Sequence, residues 1–188
     1  MCGIAGIYSL NKPREILINI ANNMADSIFH RGPDDSGVWA DETTNIALSH
    51  RRLSIIDLSD SGHQPMVSNC GRYTMVFNGE IYNHHLLRKK LESSGIQYNW
   101  KGSSDTEVLL LAISTWGMRS ALQRSEGMFA IALWDGIEKK LYLARDRFGE
   151  KPLYYGNIGK DFVFGSELKA LRTHPDFNNK LDRDSLAS

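Results

Sequence analysis

Met1-Cys2-Gly3-Ile4-Ala5-Gly6-Ile7-Tyr8 begins the chain and sets a cysteine directly before a short apolar run. Gly3–Tyr8 reads as a strand, and the plain interpretation is a buried first strand whose cysteine packs as a small hydrophobe. No basic stretch precedes the apolar segment and no small-residue cleavage site comes after it, which argues against a secretory signal. A lipoprotein cysteine needs an apolar stretch before it, and only Met1 stands there. A second interpretation is chemical. Cysteine has a small side chain, so removal of Met1 is expected to leave Cys2 as the first residue, with thiol and α-amine on one residue. Such an amine has an ordinary pKa of about 7.7–8.0, well placed for a general base at neutral pH. A nucleophile that carries its own base needs no partner histidine.

Working outward, apolar spacing at Ile16, Ile20, Met24 and Ile28 predicts a helix over Arg14–Ile28. His30-Arg31-Gly32-Pro33-Asp34-Asp35-Ser36-Gly37 reads as a loop. Short strands are expected at Asn45–Ser49, Leu53–Asp57 and Tyr73–Asn78, then helices at Asn83–Ser93 and Asp105–Trp116, the latter opening on an acidic residue after Ser103-Ser104. Strands return at Met128–Asp135, Lys140–Asp146, Leu153–Tyr155 and Phe162–Phe164. Strand-rich segments flanking two central helices do not alternate as a doubly wound sheet would, so antiparallel sheets packed with helices are expected. Leu181–Ser188 resembles the first turn of a helix with Asp182 as N-cap, as in a piece cut from a longer protein.

The 188 residues suit one domain with a core of its own. Twenty-two basic and 22 acidic side chains leave zero formal charge, which gives no support to a nucleic-acid partner. The apolar runs Val108–Ile113 and Met128–Trp134 are too short to span a bilayer. Two cysteines are too few for a disulfide framework and fit a reducing, cytoplasmic setting.

Six segments in order carry more. They are Met1–Gly6, His30-Arg31-Gly32-Pro33-Asp34, Leu48–Asp57, Phe77-Asn78-Gly79-Glu80-Ile81-Tyr82-Asn83, Gly102-Ser103-Ser104-Asp105-Thr106-Glu107 and Ala144–Tyr155. Together they resemble the glutaminase domain of glutamine-hydrolysing asparagine synthetases, class II glutamine amidotransferases of the N-terminal-nucleophile (Ntn) hydrolase type. The resemblance implies an α+β fold, a four-layer αββα sandwich with two antiparallel sheets flanked by helices. It implies a glutaminase domain over 1–175, with 176–188 starting the connection to a synthetase domain absent from the chain.

The resemblance assigns Cys2 as nucleophile, Asn78 as oxyanion side-chain donor and Gly79 as the neighbouring backbone donor. An Asn amide and a Gly N–H at a strand end can converge on one oxygen, and glycine permits the close approach. From the residues alone, Asn-Gly reads equally as a hairpin turn. Arg52 matches the arginine that grips the glutamine α-carboxylate, a role suited to a planar guanidinium. Arg51 points to the opposite strand face and reads as an ordinary ion pair. Leu53, Ser54, Ile55 and Ile56 match the segment lining the glutamine pocket, and Glu80 and Asp105 the acidic pair near the substrate α-ammonium. Asp105 also reads as a helix-terminus charge.

Other features read as structural. His84 and His85 are adjacent, share no helix face and have no metal-ligand spacing, so no metal is expected. Cys70 lies in a polar turn, Arg145–Gly149 reads as structural, and Gly62-His63-Gln64-Pro65-Met66 resembles the family's pocket-flanking loop, with no derivable chemical role. The resemblance implies L-glutamine as substrate and no cofactor for the glutaminase half. ATP and Mg are expected only for the missing synthetase domain, whose Ser-Gly-Gly-x-Asp-Ser loop is not found here, nor is a Walker loop. Aspartate is the first expected ammonia acceptor. A sugar acid in polysaccharide synthesis, a different synthase, or a glutamine-binding regulatory module are the alternatives. A homodimer is left open, and no membrane or nucleic-acid partner is expected.

Overall fold

The computed structural model describes residues 1–41, 43–54 and 60–179. Two antiparallel sheets form its centre. The first has five strands in the order β2-β3-β1-β9-β8: β1 (Gly3–Tyr8), β2 (Asp35–Ala40), β3 (Ile46–Arg52), β8 (Tyr154–Ile158) and β9 (Asp161–Gly165). The second has four in the order β4-β5-β6-β7: β4 (Met66–Val67), β5 (Tyr73–Ile81), β6 (Gly127–Asp135) and β7 (Lys140–Arg145). The helices are α1 (Arg14–Ser27), α2 (His84–Ser93), α3 (Asp105–Trp116), α4 (Met118–Arg124) and α5 (Leu168–Arg172).

Side chains alternate across a strand, and here both faces are apolar, so each sheet is covered twice. On β1, Ala5 and Ile7 face α1, while Ile4 faces the other sheet. On β5 and β6, Met75, Phe77, Ile131 and Leu133 pack beneath α2, α3 and α4, while Val76, Ala130, Ala132 and Trp134 meet Ile4, Ile46, Leu48 and Phe164 between the sheets. Three apolar layers therefore separate four layers of structure, the αββα sandwich. Among the described residues no helix is long and apolar enough to cross a membrane.

Several elements depart from the sequence expectation. The segment expected as a loop over 30–37 holds a short 3-10 turn, Phe29–Arg31, and then the start of β2. Asp, Ser and Gly are poor strand formers, but β2 is held along β3 from Asp35↔Arg52 to Ala40↔Ala47, so tertiary pairing overrides propensity. The strand expected at Asn45–Ser49 runs on to Arg52 because β3 is paired on both sides, and Leu53 and Ser54 lie outside it. The rest of the expected Leu53–Asp57 strand, and the helix start at Asp182, lie outside the described residues. Asn78-Gly79 is in the interior of β5, not a hairpin turn.

Two positions matter for the site. β1 is the central strand of its sheet, so the residue preceding Gly3 is held at the end of a strand that β3 pairs along its whole length. β5 has β6 on one side, but on the other, among the described residues, only the two-residue β4, which pairs with Thr74 and Met75. Beyond Met75 the outer edge of β5 is open to other partners.

Candidate functional site

Cys2 lies just before β1. Its Sγ sits between the Leu53 backbone groups, 3.4 Å from the N–H and 3.6 Å from the carbonyl oxygen. Its own carbonyl accepts from Arg31 Nε at 2.9 Å, and Arg31 is tied in turn to Glu167 at 3.0 Å. Thiol and main chain are thus both fixed, and Cys2 is half-buried.

The thiol borders a pocket of about 130 Å³ whose wall includes Arg52, Leu53, Asn78, Gly79, Glu80 and Asp105. Three segments distant in sequence bring them together: the end of β3, the open stretch of β5 and the start of α3. Arg52 is the last residue of β3 and is buried. Its guanidinium lies so close to residue 62 that a side-chain carbon there would collide with it.

The open edge of β5 explains the next pair. Backbone groups in a strand repeat their direction every second residue. Phe77 turns its N–H and C=O outward, to Gln64 Oε1 at 2.7 Å and His50 Nε2 at 3.1 Å. The Ile81 N–H also points outward, to Asp105 Oδ2 at 2.8 Å. Gly79 lies between them with the same parity, so its N–H faces the same edge. A Cβ at Gly79 would collide with the Met128 carbonyl on β6, so the close pairing there demands glycine. Asn78 is 1% exposed, and its Nδ2 is a buried donor without a hydrogen-bond partner among the described residues. A buried unsatisfied amide costs about 1–3 kcal/mol, and one that borders a pocket is available to a ligand oxygen.

Asp105 opens α3 after Ser104, whose side chain accepts from Thr106 N–H at 3.1 Å as an N-cap. Burial pushes the Asp105 carboxyl above the ordinary value, opposed by its bond to the Ile81 N–H. Glu80 stands half-buried on the same wall.

The remaining expected residues divide. Ser54 is absent from the pocket wall, and its N–H donates to Asp34 Oδ2 at 2.8 Å. Ile55 and Ile56 lie outside the described residues. Arg51 leaves the pocket, as its strand parity requires, and pairs with Asp26 while stacking over Phe29 at 5.1 Å. His84 Nδ1 bonds to the Ile81 carbonyl at 2.8 Å. The Asp146 carboxylate accepts from the N–H groups of Phe129, Phe148, Glu150 and Lys151, a loop clamp that holds its pKa below the ordinary value against the opposing effect of burial.

Sequence reasoning missed Lys151 and found no role for Gln64, although the segment holding Gln64 resembles the family's pocket-flanking loop; both line the pocket. Gln64 lies within Gly62–Met66 and Lys151 within Ala144–Tyr155, but neither segment has a visible partner in the sequence. Lys151 is 4% exposed, and its Nζ meets Met1 Sδ at 2.9 Å. A larger groove of about 740 Å³ runs by β7 and β8, but its lining holds no cysteine, serine, threonine or carboxylate.

A thiol, a buried amide donor, a guanidinium and a carboxylate line one pocket, a set that suits acyl transfer on a small zwitterion. The model of the glutamine amidotransferase domain family matches residues 1–188. The chain belongs to this family. Among relatives of this amidotransferase domain, asparagine synthetase (glutamine-hydrolyzing) 3 of Bacillus subtilis (strain 168) is 39% identical over 189 residues, covering 100% of the chain and 30% of the relative. Asparagine synthetase (glutamine-hydrolyzing) 2 of the same organism is 41% identical over 177 residues, covering 93% of the chain and 23% of the relative. The chain therefore spans a third or less of the length of these relatives. In fold it is similar to the glutamine phosphoribosylpyrophosphate amidotransferase from B. subtilis complexed with ADP and GMP, with a TM-score of 0.77 at 23% identity over 92% of this chain and 43% of that one. The αββα sandwich that the resemblance implies is the architecture observed.

Proposed function

We propose that this amidotransferase domain hydrolyses L-glutamine to glutamate and ammonia, with Cys2 as nucleophile after removal of Met1. The observation that carries the reading is the pairing of Cys2 with a buried, unpartnered Asn78 Nδ2 and the outward Gly79 N–H on one pocket wall. The Cys2 sulfur attacks the side-chain amide carbon, and the α-amine takes the thiol proton. Asn78 and Gly79 hold the oxyanion, each donor worth about 2.7–4 kcal/mol. As the tetrahedral species collapses, the C–N bond breaks and the protonated amine gives its proton to the leaving nitrogen, which departs as ammonia. Water, deprotonated by the same amine, cleaves the thioester to glutamate and restores the thiol. Arg52 takes the substrate α-carboxylate, and Asp105 with Glu80 the α-ammonium, while Leu53 flanks the chain of the substrate. With the α-carbon end held there and the amide end held by the oxyanion donors, the attack is effectively intramolecular. No metal or cofactor enters these steps.

The ammonia goes, on this reading, to an ATP- and Mg-dependent synthetase portion that amidates an acid, with aspartate the first acceptor to test. The names of the relatives and the small share of their length that the chain covers support this. The test is glutamate release from glutamine by chain with Cys2 exposed as first residue. Turnover is expected there, and it should disappear in Cys2→Ala and in chain that retains Met1 behind an N-terminal tag. Turnover by either variant at the normal rate would overturn the mechanism.

A further inference from the structure

Phe77 stands one residue before Asn78, and its peptide groups are held by two side chains from other elements. Gln64 Oε1 accepts its N–H at 2.7 Å, and His50 Nε2 donates to its carbonyl at 3.1 Å. Both side chains are buried, Gln64 at 4% and His50 at 1% exposure. They stand where the ladder of β4 has already ended, and they replace its hydrogen bonds. His50 belongs to β3, so its bond crosses from one sheet to the other. A carbonyl only accepts, so Nε2 carries the hydrogen.

The consequence lies in the neighbouring peptide planes. The Phe77 carbonyl shares a rigid plane with the Asn78 N–H, and that plane is bonded to the Cα from which the Asn78 side chain departs. On the far side, Asp105 fixes the plane that carries the Ile81 N–H. The Gly79 N–H lies between these two fixed points. Oxyanion donors act only within about 2.7–3.1 Å of the developing charge, so a small rotation of either plane moves them out of range.

We propose that Gln64 and His50 are positioning residues of the oxyanion site, which by clamping the Phe77 peptide aim Asn78 Nδ2 and the Gly79 N–H at one point. The proposal rests on the glutamine-hydrolysis reading. It makes the two residues matter for the tetrahedral species more than for the planar amide, because only the former carries the charge.

The test compares Gln64→Met and His50→Leu, which remove the clamp, with Gln64→Glu, which keeps an acceptor for the Phe77 N–H. Each is assayed for kcat and KM with glutamine and for binding of glutamate and of its side-chain aldehyde analogue. The Cys2 sulfur adds to the aldehyde carbon and its proton passes to the α-amine, leaving an oxyanion on the bound adduct. Clamp removal is expected to lower kcat about tenfold or more, part of the ~10²–10³ lost when a donor is deleted. Aldehyde affinity should fall in parallel, while KM and glutamate affinity change less than about threefold and Gln64→Glu recovers to within about threefold of the wild-type kcat. If His50→Leu fails to fold, the two Gln64 variants decide the matter alone. Unchanged kcat and aldehyde affinity in Gln64→Met would overturn the proposal, as would an equal loss of glutamate and aldehyde affinity. A wild-type chain that binds the aldehyde but releases no glutamate from glutamine would instead overturn the parent reading.

Discussion

Burial drives the His50 imidazole down to about 4, against the opposing bond to the Phe77 carbonyl. Asp35 favours its charged form, and Arg52 and His63 disfavour it. The unfolded chain takes up this proton near pH 6.5, whereas the folded one resists until about pH 4. The unfolded state therefore binds more protons in that window, so this contribution to stability is complete above pH 6.5 and is lost as pH falls towards 4. Its size is about 3 kcal/mol by the usual conversion of a pKa difference. Urea unfolding of wild type and His50→Gln at pH 7 and pH 4.5 should show a gap in stability that shrinks on acidification. A constant gap would mean that His50 does not titrate in this way. The same residue shows what a sequence can carry. His50 stands within a segment that points to the family, but its partner is a main-chain carbonyl 27 residues away, and no side-chain motif advertises such a bond.

At the level of elements, the strong patterns were legible and the weak ones were not. Gly3–Tyr8 and Asp105–Trp116 form where their sequence predicts, because an apolar strand and a capped apolar helix are locally consistent. β2, β4 and α4 are hidden by turn-rich composition or shortness, and long-range pairing or packing creates them. The pocket was half legible. Residues proposed to contact glutamine belong to recognisable motifs, whereas Gly62, Gln64 and Lys151 meet Arg52, Phe77 and Met1 of the protein itself. Gly62 supplies a test of this distinction. A methyl at residue 62 meets the flexible end of Arg52 and not the main chain, so Gly62→Ala should cost little stability, about 1 kcal/mol or less. It should displace the guanidinium and raise KM for glutamine about tenfold, the weight of one charge-assisted hydrogen bond. Steady-state kinetics beside a melting curve would separate the two effects, and an unchanged KM would count against Arg52 as the carboxylate anchor.

The whole molecule depends on the layer between its sheets. Trp134 is 1% exposed there, packed with side chains of both sheets, and its Nε1 donates to Asp41 Oδ2 at 3.2 Å. Trp134→Ala should destabilise the protein by about 3–5 kcal/mol, since no neighbouring layer can collapse into the void. Trp100 differs: it is half-buried, with its Nε1 on Glu92 and the Arg88 guanidinium over its ring. Trp100→Ala should cost about 1 kcal/mol or less. Denaturant midpoints of the two variants check the ranking, and comparable losses would show that the inter-sheet layer is not the dominant support.

The central place of β1 has a temporal side. Its neighbour β3 is made early, but its other neighbour, β9, comes at Asp161–Gly165, and Ser166 supplies the hydroxyl that accepts the Ile4 N–H. During synthesis the first residues leave the ribosome long before the partners that immobilise them. β1 thus pairs first with β3 and gains its second neighbour only after some 160 further residues have emerged. On the glutamine-hydrolysis reading, trimming of Met1 comes early and closure of the sheet that carries Cys2 comes late, so unfinished chains hold the thiol on a strand still lacking one neighbour.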